Sequence, residues 1–152
     1  MKDSGNTNAI LKSAIEREEE SYTFYSDVAR RVHDQTVKKT FQELAKDELG
    51  HKDFIKKCMK DKNILRNLPV PQDWKLAEAT EEPVLSVQMK PKDAIALAMK
   101  KEHSAADFYS KLAAGAVDPT YRETFKGLAT MELGHKAHLE SIFVDIGFPE
   151  AW

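Results

Sequence analysis

Cysteine is almost absent from this sequence: Cys58 is the only one in 152 residues. That excludes an internal disulfide and any Cys-rich metal knuckle within the chain, and it suits a reducing compartment. Glycine and proline are scarce as well, six of each, and Pro69, Pro71 and Pro83 share one central stretch. So few chain breakers favour long helices over a many-turned sheet protein. Neither sign of charge dominates, with 23 Lys and Arg against 25 Asp and Glu, and no nucleic-acid partner is expected. The N-terminus, MKDSGNTNAILKSAIERE, lacks the apolar core of a signal peptide, and no apolar run is long enough to span a bilayer. A cytoplasmic protein without membrane contact is expected, folded as a single domain over residues 1–152.

What the sequence does contain is a repetition. Glu18, Phe24, Tyr25, Phe41, Leu44, Ala45, Glu48, Leu49, Gly50, His51 and Lys52 recur 84 residues later, without a gap, as Glu102, Phe108, Tyr109, Phe125, Leu128, Ala129, Glu132, Leu133, Gly134, His135 and Lys136. Two copies of one structural unit are implied. The retained residues include four Glu and two His, which are costly in a core but suited to holding metal.

Apolar spacing places these residues on four long helices. Leu11, Ile15, Glu18, Tyr22, Tyr25, Ala29 and Val32 step by three and four along a first helix; Val37, Phe41, Leu44, Glu48, His51, Ile55 and Cys58 do so along a second. Ile95, Met99, Glu102, Ala106, Tyr109, Ala113 and Ala116 mark a third, and Tyr121, Phe125, Leu128, Glu132, His135, Leu139, Ile142 and Ile146 a fourth. Helices of about 26 residues would be roughly 39 Å long. Pro91 with Asp93 starts the third, Asp118 before Pro119 caps the fourth, and Gly147 followed by Pro149 ends it. Turns near 33–36 and 115–119 leave room only for antiparallel hairpins. The stretch from about 63 to 89 has no seam, and it is expected to travel the length of the bundle and start the third helix near the end where the first began. The fold expected is all-α: a ferritin-like four-helix bundle, two antiparallel hairpins joined by one long crossover.

All six Glu and His candidates stand in the seams. Glu48 and His51 are three apart on one helix face, as are Glu132 and His135. Four carboxylates converging in a core would repel one another and take up protons. No Lys or Arg stands in those seams to neutralise them. Two divalent ions would balance four ionised carboxylates with both imidazoles neutral. A Glu from each of two helices plus a Glu-x-x-His from each of the other two is the ligand pattern of di-iron and di-manganese bundles. Carboxylates with imidazoles suit Fe or Mn, and Zn is a possible substitute in a purified sample. The expected metal ligands are therefore Glu18, Glu48, His51, Glu102, Glu132 and His135. Glu48 and Glu132 would bridge, Glu18 and Glu102 would be terminal or bridging on opposite sides, and each His would serve one metal.

With Glu-x6-Tyr on the first and third helices and Glu-x-x-His on the second and fourth, the chain resembles the ferritin-like superfamily and, within it, the rubrerythrins. The resemblance implies two Fe ions cycling between Fe(II) and Fe(III), oxo-bridged when oxidised, that reduce hydrogen peroxide. It also implies that Tyr25 and Tyr109 reach across the bundle to hydrogen-bond a ligand carboxylate; plain aromatic core is the alternative for both. A homodimer is expected.

Three departures qualify this. The rubredoxin domain that delivers electrons in rubrerythrins has no counterpart here, so a separate donor, rubredoxin-like or a flavoprotein, is expected. The extra carboxylate of their third helix is missing, since Met99 and Ala105 flank Glu102 by one turn; Glu19 and Glu20 on the first helix are expected to face solvent. The six-ligand set is equally close to bacterioferritins, but Leu49 stands where their haem-ligating Met would be, and without a fifth helix after Gly147 a cage is not expected. His33, His103 and His138 are read as turn and off-seam residues, Arg17 to Glu20 as a solvated face, and Trp74 and Trp152 as packing or dimer contacts. Two other functions stay open: a ferroxidase that reacts with O2 and stores or transfers iron, and a metal-stabilised bundle that binds partners.

Overall fold

In the computed structural model, which describes residues 2–147, the steps of three and four become helices and no strand occurs among the described residues. The four long helices are α1 (Lys2–Arg31), α2 (Gln35–Lys60), α5 (Pro91–Gly115) and α6 (Pro119–Gly147), and two single turns, α3 (Asn63–Arg66) and α4 (Leu76–Ala79), lie in the crossover. The long helices pair as hairpins, α1 with α2 and α5 with α6. None of the helices is long and apolar enough to cross a membrane.

Local chemistry sets the helix ends. Asp34 caps α2 through its Oδ1, which accepts from Val37 N at 3.0 Å, and Asp118 Oδ1 accepts from Thr120 N at 2.8 Å to start α6 behind Pro119. Asp93 reaches back to accept from Lys90 N and opens α5 at Pro91. Gly147 is the last residue of α6; Pro149 and Trp152 lie outside the described residues.

Two apolar clusters fill the bundle, one on each side of its middle. Tyr25, Val28, Phe41, Ile95 and Met99 pack towards the α1/α2 turn, and Leu11, Ile55, Tyr109 and Leu128 pack towards the other end. The carboxylates and imidazoles lie between them. Most seam residues are buried, though eight, among them Tyr22, Tyr121, His51 and His135, are only partly so.

The crossover does run the length of the bundle, but it delivers α5 to the end opposite the one expected. His33 N, in the α1/α2 turn, donates to Val87 O at 2.8 Å, just before α5. The reason is geometric: α2 already returns the chain to where α1 began, so a bundle-length crossover ends where α1 ends. Helix α3 packs on α6, where Gly127 allows it; a Cβ there would come within 2.5 Å of Leu65 Cγ and 3.0 Å of Leu65 O.

Further along, buried Glu140 of α6 accepts from Trp74 N and Ala77 N at 3.3 and 3.0 Å. Lys75 between them takes a left-handed conformation (φ 56°), costing about 1 kcal/mol that the flanking bonds must offset. Lys136, read from sequence as one of several repeated residues, is fully buried and pairs with Asp73 and Glu78 at 2.9 and 2.6 Å. Trp74 is half exposed beside Val144.

Candidate metal centre

Each hairpin brings three donors to the middle of the bundle, and the six meet. In the first, His51 Nδ1 lies 3.4 Å from Glu48 Oε2 and 3.7 Å from Glu18 Oε2. In the second, His135 Nδ1 lies 3.0 Å from Glu132 Oε1 and 3.7 Å from Glu102 Oε2. The two imidazoles stack face to face, ring centres 3.4 Å apart and 9° from parallel. Groups of three donors whose ligand atoms all lie within 4.8 Å of one another join the halves: Glu18, His51 and His135; Glu48, His51 and Glu102; Glu102, Glu132 and His135.

The donor set fits a pair of divalent ions. All four carboxylates are buried, and Glu132 Oε1 and His135 Nδ1, though 3.0 Å apart, are out of line for a hydrogen bond and have no other partner. Such atoms are costly unless something else binds them. Protons partly compensate in the protein alone. Burial, reinforced by Glu48 and opposed by His51, pushes the Glu18 carboxyl up to about 7. Burial and then Glu102 hold Glu132 well above the usual carboxylate range. Burial would depress both imidazoles, but hydrogen bonding to Glu18 and Glu48 lifts His51 to about 9, and Glu102 and Glu132 lift His135 in the same way. Cations drawn in by converging carboxylates are what the core lacks, and protons fill the need only in part.

Tyr25 and Tyr109 stand beside the centre in related settings. Phe24 meets Tyr25 edge-on at 5.5 Å, and Phe108 meets Tyr109 at 5.4 Å. Burial and then Glu102, across the bundle, keep the Tyr25 phenol protonated well above its usual range. Burial and Glu132 do the same for Tyr109, where Arg17 works against them. Arg17 belongs to the stretch read as a solvated face, yet its Cζ lies 4.5 Å from the Phe108 ring centre, and Lys101, its counterpart in the repeat, places Nζ 4.4 Å from that of Phe24. The cation before Glu18 and the one before Glu102 thus each lie over the Phe of the other half. The repeat contained this signal, since the cation precedes Glu18 and Glu102 alike.

Two cavities reach the donors. One of about 330 Å³ opens between α1 and α5, with Glu18, Glu102, Glu132 and Tyr109 inside and Arg17, Lys100, Lys101, Glu20 and Glu82 around it. Glu20 thus faces a cavity as well as solvent, while Glu19 pairs with Lys52 at 3.2 Å. The other, about 260 Å³, opens between α2 and α6 over Glu48, His51, Glu102 and His135, with Asp47 and His138 on its wall. His138, read as off the seam, does line this second opening. His103 lies 3.6 Å from Glu78 of the crossover. Asp73, Glu78 and Glu140 form a further acidic group, but the Lys136 ammonium already supplies its cation.

Comparison with known proteins agrees with this geometry. A family model described as Rubrerythrin matches residues 9–143. A solved structure of a hypothetical protein from Pyrococcus furiosus shares 24% sequence identity over 93% of this chain and 90% of its own, with a TM-score of 0.50, a likeness of fold alone. No curated protein matches the chain.

Proposed function

The chain belongs to the rubrerythrin family, and on that premise we propose that it is a non-haem di-iron oxidoreductase that reduces hydrogen peroxide with electrons from a separate donor protein. The observation that carries this reading is the six-donor core: four buried carboxylates and two imidazoles whose ligand atoms converge across the two halves, with Glu132 Oε1 and His135 Nδ1 making no hydrogen bond. Glu18, Glu48 and His51 would hold one side of the metal pair and Glu102, Glu132 and His135 the other. Two bound irons supply two electrons and Lewis acidity side by side, which is what cleavage of one O–O bond requires.

The chain's own residues do the rest. Met99 and Leu128, both fully buried, and Tyr25 close the core above and below the donors, so solvent reaches them through the two cavities. Reduction of peroxide to two waters consumes two protons. The Tyr109 hydroxyl, on the wall of the α1/α5 cavity, would donate one there. Tyr25, only 1% exposed, keeps its proton inside the core, in the field of Glu102 across the bundle. A rubredoxin-like protein or a flavoprotein would supply electrons, since one Cys among these residues cannot build a four-Cys iron site.

A second reading, ferroxidase, is favoured by the apolar flanks of Glu102. Buried Met99 and Ala105 leave no extra carboxylate on α5 for an iron to move to. The test is anaerobic loading with Fe(II), then stopped-flow oxidation by H2O2 and by O2 with iron counted per chain. Two irons oxidised at least tenfold faster by peroxide is the expected result. Faster reaction with O2 and uptake well beyond two would replace it with the ferroxidase reading.

A further inference from the structure

The two halves repeat their ligands but not the flanks of the imidazole pair. Helices α2 and α6 run antiparallel through His51 and His135, so Asp47 of α2 and His138 of α6 fall on one flank. Their counterparts in the repeat, Met131 and Phe54, fall on the other. Met131 is buried and Phe54 packs against the same apolar cluster, which closes that flank. Asp47 and His138 are both exposed and line the cavity that descends to Glu48, His51, Glu102 and His135. Gly134 stands on the same wall, and a Cβ there would meet nothing within 4 Å, so the opening is clear of side chains at that point.

Charge separates this mouth from the other. No Lys or Arg lines the α2/α6 cavity, whereas Arg17, Lys100 and Lys101 surround the α1/α5 cavity. A divalent cation approaching α1/α5 meets three positive side chains against the two carboxylates Glu20 and Glu82, whereas one approaching α2/α6 meets a carboxylate and an imidazole and no positive side chain among the described residues. Fields of this kind set the direction of entry and its rate, and carboxylate with imidazole is a donor pair that divalent first-row metals accept.

We propose that Asp47 and His138 form a transit site for a divalent transition-metal ion at the α2/α6 mouth, through which both metals reach the six-donor centre. The inference rests on that centre holding metal and not on its reacting with peroxide. Transit requires the pair to bind weakly and release inward, which two donors on exposed side chains do better than a full coordination shell.

The test is uptake of Co(II) by the metal-free full chain, followed in stopped flow through cobalt d–d absorption, with the final stoichiometry measured. Asp47→Asn combined with His138→Gln is expected to slow uptake at least tenfold at low ionic strength and leave two Co(II) per chain at the end. Glu20→Gln combined with Glu82→Gln, at the α1/α5 mouth, is expected to leave the rate unchanged. An unaltered rate in the first variant, or slowing in the second alone, overturns the proposal. So does a stoichiometry below two in the first, because the pair would then belong to the centre itself. Cobalt uptake needs no turnover, so the two readings fail separately. Ordinary loading with no preference for peroxide would remove the peroxidase reading and leave the entry route standing.

Discussion

Lys136 and His135 are neighbours in the chain, and at the scale of single residues their fates could hardly differ more. His135 turns into the centre, while the Lys136 side chain is sealed beneath the crossover against Asp73 and Glu78. An ammonium so buried depends on its partners. Lys136→Met keeps the length and apolar stem but removes the ammonium from Asp73, Glu78 and, at 3.9 Å, Glu140. Because the two closest, Asp73 and Glu78, are a third exposed and Glu140 keeps its two backbone donors, the expected loss is about 2 kcal/mol, below the range for a fully enclosed pair. Chemical denaturation checks this, and no measurable loss would mean that the carboxylates find water. The convergence of the six donors was legible because a Glu or His repeated in an apolar seam has few other reasons to be there. Lys136 and Glu140 were not, since long charged side chains off the seam ordinarily face solvent and their burial depends on where a distant segment passes.

Among the elements, the long helices and their caps follow from spacing and from Asp34, Asp93 and Asp118, whereas α3 and α4 do not. Four-residue turns such as these are too short for a period to show, and each exists because it docks. Gly127 records one such docking. Inside a helix, Gly→Ala ordinarily stabilises by about 1 kcal/mol, yet here the added Cβ would press on Leu65 Cγ and O. Gly127→Ala is expected to destabilise by about 1–2 kcal/mol through overpacking. A rise in melting temperature instead would show that α3 gives way freely. The direction of the crossover was within reach of the sequence: a bundle-length span that starts where α2 ends can only finish beside the α1/α2 turn.

For the whole molecule, the centre couples stability to pH. Glu18 stands at about 7 against its usual 4.5, so its contribution is full below about 4.5 and is lost as pH rises through 7. His51 stands at about 9 against 6.5; its contribution is full below about 6.5 and is lost as pH rises through 9. Both losses have the same sign, and the metal-free chain should melt at progressively lower temperature between about pH 5 and 9. With divalent ions bound the trend reverses over the lower part of that range, because binding requires ionised carboxylates and neutral imidazoles. Thermal melts of metal-free and Co(II)-loaded protein at several pH values test both slopes; a metal-free melting temperature that climbs with pH would contradict the first. The crossover has one more consequence. Each hairpin carries only three of the six donors, and unlinked halves would have to find each other by collision. Joined, they meet at an effective concentration on the order of millimolar, so assembly of the site no longer depends on how much protein is present. The join also frees the halves from identity: a symmetric pair of separate hairpins would have to repeat the same residue on both flanks of its imidazoles, whereas one continuous chain can open one flank and seal the other.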